Sequence, residues 1–232
     1  MTINTKTLAA IDIGTNAIRL FISNVEEYPT ETLFKKIAFL RVPIRLGEDV
    51  FTTGEIGQQK GKRLCETMQG FSYIMSAFNV ESYKAYATCA MREARNGKSV
   101  AEQIQKECDL NIEIISGTKE AETIFAGGMN EVVDDDKTYL YVDVGGGSTE
   151  VIVYSKSVKV EACSFPLGTV RMLNDAMDKE EMKHFKKWLK NITEKYTPDA
   201  IIGSGGNINK IHKLLNKKER ERITRPLDGS PV

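Results

Sequence analysis

The sequence predicts an α/β protein of two domains facing each other across a cleft, and two observations carry that prediction. An apolar strand ending in Asp-x-Gly occurs twice, as Leu8-Ala9-Ala10-Ile11-Asp12-Ile13-Gly14 and as Tyr139-Leu140-Tyr141-Val142-Asp143-Val144-Gly145. Each is followed by a Gly/Ser/Thr turn, further β-rich runs and then alternating helices and strands, and a shared order of elements is the mark of an internal duplication. The domains are expected at 1–125 and 126–232, meeting near a polar break at Asp134-Asp135-Asp136.

Short apolar runs closed by glycine and polar residues read as strands joined by hairpins. In the first half these are Leu8–Ile13, Arg19–Val25 and about Leu33–Val42. From Gly54 to Ala77 the spacing becomes helical, with Ile56, Leu64, Met68, Phe71, Ile74 and Met75 on the candidate core face. A strand over Tyr83–Ala90, a helix around Ser99–Cys108, a strand at Ile112–Ile115 and a helix from about Thr118 follow. The second half repeats the pattern with strands at Tyr139–Val144, Thr149–Tyr154 and around Val158–Phe165. Helices are expected after Gly168 and over Lys179–Lys195, then a strand at Ala200–Ile202 and a helix around Ile208–Leu215. The lysines of Lys183–Lys190 alternate with Met182, Phe185, Trp188 and Leu189 as in an amphipathic surface helix. The stretch from Lys210 to Arg225 is basic on balance and fits a solvated helix face or a weak polyanion contact.

Composition narrows the function. With 32 basic and 32 acidic residues the 232-residue chain is neutral, which argues against a dedicated nucleic-acid-binding module. No run approaches the roughly 18 consecutive apolar residues of a membrane span. Met1-Thr2-Ile3-Asn4-Thr5-Lys6 has no apolar leader, so a cytoplasmic protein is expected. Cys65, Cys89, Cys108 and Cys163 are too widely spaced for zinc or a disulfide framework and read as packed, reduced thiols. The only histidines, His184 and His212, lie in charged helical stretches, which disfavours a Ser-His-Asp triad.

The chemistry resides in the two turns. Glycines at Gly14 and at Gly145, Gly146 and Gly147 let the backbone approach a ligand and present consecutive N–H groups as an anion nest. Thr15, Asn16, Ser148 and Thr149 add polar side chains. Asp12 and Asp143, at the strand ends, would hold Mg²⁺, which bridges to phosphate oxygens. There is no G-x-x-x-x-G-K-[ST], so this is not a P-loop protein. Gly203-Ser204-Gly205-Gly206-Asn207 lacks the third glycine of a dinucleotide fingerprint and is read as a third ligand-facing loop. On the residues alone Glu120 fits equally well as a catalytic group or as a favourable charge in a helix's first turn.

Five ordered segments resemble a known family. They are Ala10–Leu20, Arg45-Leu46-Gly47, Ala87–Asn96, Ile115-Ser116-Gly117-Thr118-Lys119-Glu120-Ala121 and Val142–Glu150. Their order and spacing are similar to those of the Ppx/GppA family of exopolyphosphatases and guanosine pentaphosphate phosphohydrolases. The resemblance runs from about Ala10 to Asn207.

That resemblance implies two ribonuclease-H-like domains of the actin-like ATPase type. It matches Asp12 and Asp143 to a Mg²⁺-associated acidic pair, and the turns at Gly14-Thr15-Asn16 and Gly145–Thr149 to phosphate loops. Arg19, Arg45 and Arg92 match arginines near the phosphate channel, Glu120 the glutamate that positions the attacking water, and Glu150 a second acidic residue there. The family often has Ser where this chain has Thr15 and Ala17, and it continues through further helices after the Gly203–Asn207 loop, so the expectation is either a truncated sequence or an unusually small second domain. The implied activity is release of terminal orthophosphate from polyphosphate, or conversion of guanosine pentaphosphate to tetraphosphate, in a homodimer. Arg95 and Glu122 are expected to be exposed helix-end charges. The competing readings are a sensor of guanosine tetraphosphate with little turnover and an actin-like ATPase or kinase.

Overall fold

A computed structural model describes residues 4–126, 136–156 and 158–215. The chain divides into two compact units, Met1–Ile115 and Ser116–Val232. The polar break at Asp134 and Asp135 and the basic stretch beyond Leu215 lie outside the described residues.

The first unit contains a five-stranded sheet: β1 (Asn4–Ile13), β2 (Ile18–Glu27), β3 (Thr32–Val42), β4 (Ser82–Ala87) and β5 (Glu113–Ile114), in the order β3-β2-β1-β4-β5. β1, β2 and β3 are antiparallel neighbours, whereas β4 runs parallel to β1 and to β5. Helices α1 (Leu46–Thr53), α2 (Gln58–Ala77), α3 (Cys89–Glu93) and α4 (Gly97–Cys108) fill the connections. Alternation along the strands puts Ile11, Ile13, Ile18, Leu20 and Ile22 on one face, where they pack with Leu64, Met68, Phe71 and Met75 of α2 and Ile104 of α4. Of the expected helical core positions, Ile74 is only partly buried.

Two local expectations change. The helix foreseen from Gly54 is preceded by α1, and Gly54 instead closes α1 with φ 80°. The strand foreseen to Ala90 ends at Ala87, and Cys89-Ala90-Met91 opens α3. A short, fully apolar run satisfies strand and buried-helix patterns equally, so periodicity could not place that boundary.

The second unit repeats the first. Its sheet comprises β6 (Thr138–Val144), β7 (Thr149–Ser155), β8 (Val158–Phe165) and β9 (Ala200–Ser204), in the order β8-β7-β6-β9. β6 is antiparallel to β7, β7 to β8, and β6 is parallel to β9, which is the arrangement of β3-β2-β1-β4. Both copies carry a register shift at the fifth residue of the middle strand, between Ile22 and Ser23 and between Val153 and Tyr154. A repeated bulge is independent support for duplication, because bulges are built-in features of a fold. The two sheets thus have the ribonuclease-H-like order.

Helices α5 (Gly117–Ala126), α6 (Thr169–Leu173), α7 (Lys179–Tyr196) and α8 (Gly205–Leu215) complete this unit. Ala121 and Ile124 of α5 pack on one sheet face with Tyr139, Tyr141, Ile152 and Tyr154. On the other face, Met182, Phe185, Trp188 and Leu189 of α7 pack with Leu140, Val151, Val153 and Phe165. α5 therefore belongs to the second unit, and the division falls ten residues earlier than the 125/126 boundary read from sequence. Covering both faces explains why six of the seven residues of β7 are buried.

Among the described residues, no helix is long and apolar enough to cross a membrane. Cys65, Cys89, Cys108 and Cys163 are free thiols, the first three buried.

Candidate functional site

The candidate residues fall into two sets, one per unit. In the first unit, Asp12 lies at the end of β1 directly opposite Arg19 of β2, and the two form an ion pair. Burial raises the Asp12 carboxyl above its ordinary value even though 43% of the side chain is open to solvent, and the Arg19 guanidinium opposes the rise.

The turn from Gly14 to Ala17 is closed by a bond from the Gly14 amide to the Ala17 carbonyl, 3.2 Å. The carbonyls of Thr15 and Asn16 accept from the amides of Gly47 and Arg45, both at 2.9 Å. In a trans peptide the C=O of one residue and the N–H of the next point in opposite directions, and the described chain has no cis bonds. The amides of Asn16 and Ala17 are therefore turned away from α1.

Arg45 enters α1 in the left-handed region at φ 61°, a conformation that a non-glycine residue adopts only when its surroundings impose it. Its amide braces the loop, while its exposed guanidinium pairs with Glu48 at 3.4 Å. Arg92 donates from Nη1 to the carbonyl of Ile115 at 2.8 Å. Arg95 donates to the carbonyl of Thr53 at 2.9 Å and fastens the end of α1.

The second unit gathers Asp143, Glu150, Glu120 and the Gly145–Thr149 loop at one end of its sheet. Strand register puts Asp143 opposite Glu150, Glu150 opposite Ser164, and Asp143 beside Ser204. Directly paired residues point to the same face, so Ser164, Glu150, Asp143 and Ser204 form one row across four strands. Glu150 is 1% exposed and accepts a hydrogen bond from Ser164 Oγ at 3.0 Å.

The same face is the one α5 covers. Ser116 caps that helix, its Oγ accepting from the Lys119 amide at 3.1 Å and its carbonyl from the Glu120 amide at 2.9 Å. Gly117 lies against Ser164, where a Cβ would approach Ser164 Cβ to 2.5 Å and Glu150 Oε1 to 3.8 Å. Glu120 is thus in the first turn of a helix whose start abuts the acidic row, and its Oε2 is buried. Two turn-adjacent observations tie in the third loop. Tyr141 OH bonds Ser204 Oγ, burial pushing the phenol above its usual range, and Asn207 Nδ2 donates to the Val144 carbonyl at 2.6 Å. Glu122, by contrast, pairs with Lys159 at 2.6 Å away from this row.

The Gly145–Thr149 loop is braced from behind. Gly145 donates to the Ser148 carbonyl at 2.9 Å, and the carbonyls of Gly145 and Gly146 accept from the amides of Thr169 at 3.1 Å and Val170 at 2.8 Å. The carbonyl of Gly147 accepts from Arg171 Nε at 2.6 Å. By the same trans-peptide geometry, the amides of Gly146, Gly147 and Ser148 are directed away from α6. Three consecutive N–H groups with a common outlook form an anion-binding nest.

Gly168 and Arg171 were not singled out from the sequence, although a signal existed. Val42-Pro43-Ile44 and Phe165-Pro166-Leu167 each follow the third strand of a copy, and each closes a tight turn by the same backbone bond, Ile44 to Val42 at 3.1 Å and Leu167 to Phe165 at 2.7 Å. The segment bracing the first loop thus has a counterpart bracing the second. A groove of about 820 Å³ between α2 and α4, lined by Gly57, Gly61, Cys65, Tyr73, Val100 and Cys108 among others, contains none of the candidate residues.

Comparison with known proteins shows the family. A family model described as the Ppx/GppA phosphatase family matches residues 22–219. The chain is 30% identical over 228 residues to a bifunctional 3-dehydroquinate synthase/phosphatase from Fusobacterium nucleatum, covering 91% of this chain and 34% of that protein. It is 24% identical over 236 residues to a guanosine-5'-triphosphate,3'-diphosphate pyrophosphatase from Aeromonas hydrophila, covering 96% of this chain and 47% of that protein. The crystal structure of an exopolyphosphatase from Cytophaga hutchinsonii aligns with a TM-score of 0.81 and 26% identity, covering 94% of this chain and 73% of that one. The chain thus spans between a third and a half of the length of these two curated relatives.

Proposed function

Because the chain belongs to the Ppx/GppA phosphatase family, we propose that it hydrolyses a terminal phosphoanhydride. It would release orthophosphate from inorganic polyphosphate or convert guanosine pentaphosphate to the tetraphosphate. One observation supports this reading above others: a three-amide nest and a polar row holding Asp143 and the buried Glu150 share one end of the second sheet, with Glu120 in the first turn of the covering helix.

Phosphoryl transfer to water requires little covalent chemistry from the protein, so positioning and charge neutralisation dominate. In this reading the amides of Gly146, Gly147 and Ser148, with the Ser148 and Thr149 side chains, hold oxygens of the terminal phosphoryl group. Glu120 orients the incoming water and accepts its proton, a contribution of about 10²–10⁴-fold. Glu150, held by Ser164, stays fixed behind it. In the other unit, the Gly14-Thr15-Asn16 turn and Arg19, Arg45 and Arg92 are the proposed contacts to phosphate oxygens, for which a guanidinium is well shaped.

A divalent cation fits the donor chemistry. Asp143 and Glu150 are paired directly across adjacent strands, two carboxylates on one face of the kind a hard cation takes as ligands. Among the described residues no group of three His, Cys, Asp or Glu side chains could cage a metal alone. Mg²⁺ is commonly bound through one or two carboxylates and otherwise by water and substrate phosphate. Asp143, and Asp12 in its own unit, would supply carboxylate oxygens, and the ion when bound would neutralise phosphate charge.

The test is a phosphate-release assay with polyphosphate and guanosine pentaphosphate side by side, with and without Mg²⁺, and with ATP and sugars as competing substrates. Release from one of the first two, lost on chelation and reduced at least about 10²-fold by Glu120→Gln, is the expected result. Equal rates for wild type and E120Q would remove Glu120 from its role. Tight guanosine tetraphosphate binding without any release would replace hydrolysis with sensing.

A further inference from the structure

The loop that forms the nest contains three successive glycines, and that composition creates a problem the fold has to solve. Glycine populates positive and negative φ with similar ease, so peptides flanked by glycine can flip with little penalty. A flip of the Gly147–Ser148 peptide would turn a carbonyl toward the phosphate and remove a donor. The first two carbonyls of the loop are pinned by backbone amides of the segment entering α6, from Thr169 and Val170. The third is not reached by that backbone, since the Arg171 amide bonds the Gly146 carbonyl at 3.4 Å.

We propose that Arg171 is a positioning residue for phosphate binding: its guanidinium pins the Gly147 carbonyl, so that the Ser148 amide stays in the nest. This rests on the reading of Gly145–Thr149 as a phosphate loop. The bond from Nε is short, 2.6 Å, and charge-assisted, and the residue is only 9% exposed. Burying a guanidinium beside a loop incurs desolvation that an apolar residue of similar length would avoid, so packing alone does not account for it. Close approach is secured by Gly168, where a Cβ would come within 2.5 Å of Gly147 C.

The first unit provides an internal control. There the braced carbonyls are those of Thr15 and Asn16, held by the amides of Gly47 and Arg45, and the next carbonyl, of Ala17, is tied back to Gly14 within the turn. That loop has one glycine where the second has three, and backbone bonds suffice to hold it.

The experiment compares wild type with Arg171→Met and Arg171→Lys in three measurements: calorimetric binding of inorganic phosphate, steady-state phosphate release, and thermal melting. R171M should fold, with a melting temperature lowered by the loss of the buried bond to Gly147. Its Kd for phosphate should rise about tenfold or more, the loss of one charged hydrogen bond. Its kcat/KM should fall about 10²-fold, with KM carrying a substantial share. R171K, whose ammonium can still reach a carbonyl, should recover part of both. If R171M melts lower and loses kcat with KM and Kd unchanged, fewer molecules are folded but the nest is intact, and the proposal is overturned. If wild type binds phosphate without releasing any from the substrates, hydrolysis fails as a reading, and the Kd comparison still decides Arg171. If wild type binds no phosphate, the proposal falls with the nest.

Discussion

Arg19 and Glu150 occupy the same place in the two copies of one hairpin: each is the second residue of its middle strand and faces the strand-end aspartate, Asp12 or Asp143. Duplication preserved the backbone, including the bulge, and the charge at this position is opposite in the two copies. In the first copy the aspartate meets a guanidinium. In the second it faces another carboxylate.

Asp12 provides a pH test of that contrast. A carboxyl whose folded pKa is raised holds its proton more tightly in the folded state, so its stabilising effect is present below the unfolded value of about 4 and is lost as pH rises through the folded pKa. At pH 7 the ionised group disfavours the fold. Asp12→Asn should therefore melt at the same or a higher temperature than wild type at pH 7, the difference narrowing toward pH 4, while phosphate release drops. A mutant melting well below wild type at pH 7 would show that the Arg19 ion pair outweighs burial.

Gly205 begins α8 at φ 86° with its α-carbon against Asp143, where a Cβ would overlap Oδ1. Gly205→Ala should destabilise the protein by at least about 1–2 kcal/mol from backbone strain alone, read from urea unfolding. Displacement of the carboxylate should also weaken the response of activity to Mg²⁺. An unchanged Mg²⁺ dependence in a folded G205A would separate the third loop from the site.

Phe165 is 1% exposed and makes edge-on contacts with Phe185 and Trp188, at centroid separations of 4.9 and 5.4 Å. Phe165→Ala should remove about 3–5 kcal/mol from the second unit. Hydrogen exchange should show the loss over β6–β8 and α7, with the first unit's core protected as before. Uniform loss across both units would mean that they unfold as one.

Cys65 and Cys108 share the first unit's core, and burial raises both thiols, the nearby Glu107 adding to the effect. Their stabilising effect is present below the unfolded thiol value of about 8.5 and lost as pH climbs past it. Melting temperature should fall between pH 8 and 10, less steeply in a Cys65→Ala, Cys108→Ala double variant, and both thiols should resist alkylation at pH 7.5 until the protein is unfolded. Rapid alkylation of folded protein would contradict their burial.

Much of this was legible before any coordinates. Apolar runs closed by glycine or polar residues located the strands among the described residues, with β4 read three residues too long, and the recurrence of Asp-x-Gly exposed the duplication, because a sheet's side-chain alternation and its turns are written locally. Helix α1 escaped notice since Arg45 enters it in a left-handed conformation with no side-chain cap to announce a start. Glu120 was evenly balanced between catalyst and helix-end charge for a similar reason: its surroundings come from β7 and β8, about thirty or more residues away in the chain.

By itself, then, the amino-acid order determined which segments are strands and that they come in two equivalent sets. Those properties depend on neighbours within a few residues. Tertiary structure alone decided that α5 belongs to the second unit, that Asp143 and Glu150 stand side by side in one row, and that Arg171 reaches back to Gly147. Each of these is a pairing between distant segments, set by strand register and by which faces have apolar surface left to cover, and no local spacing encodes it.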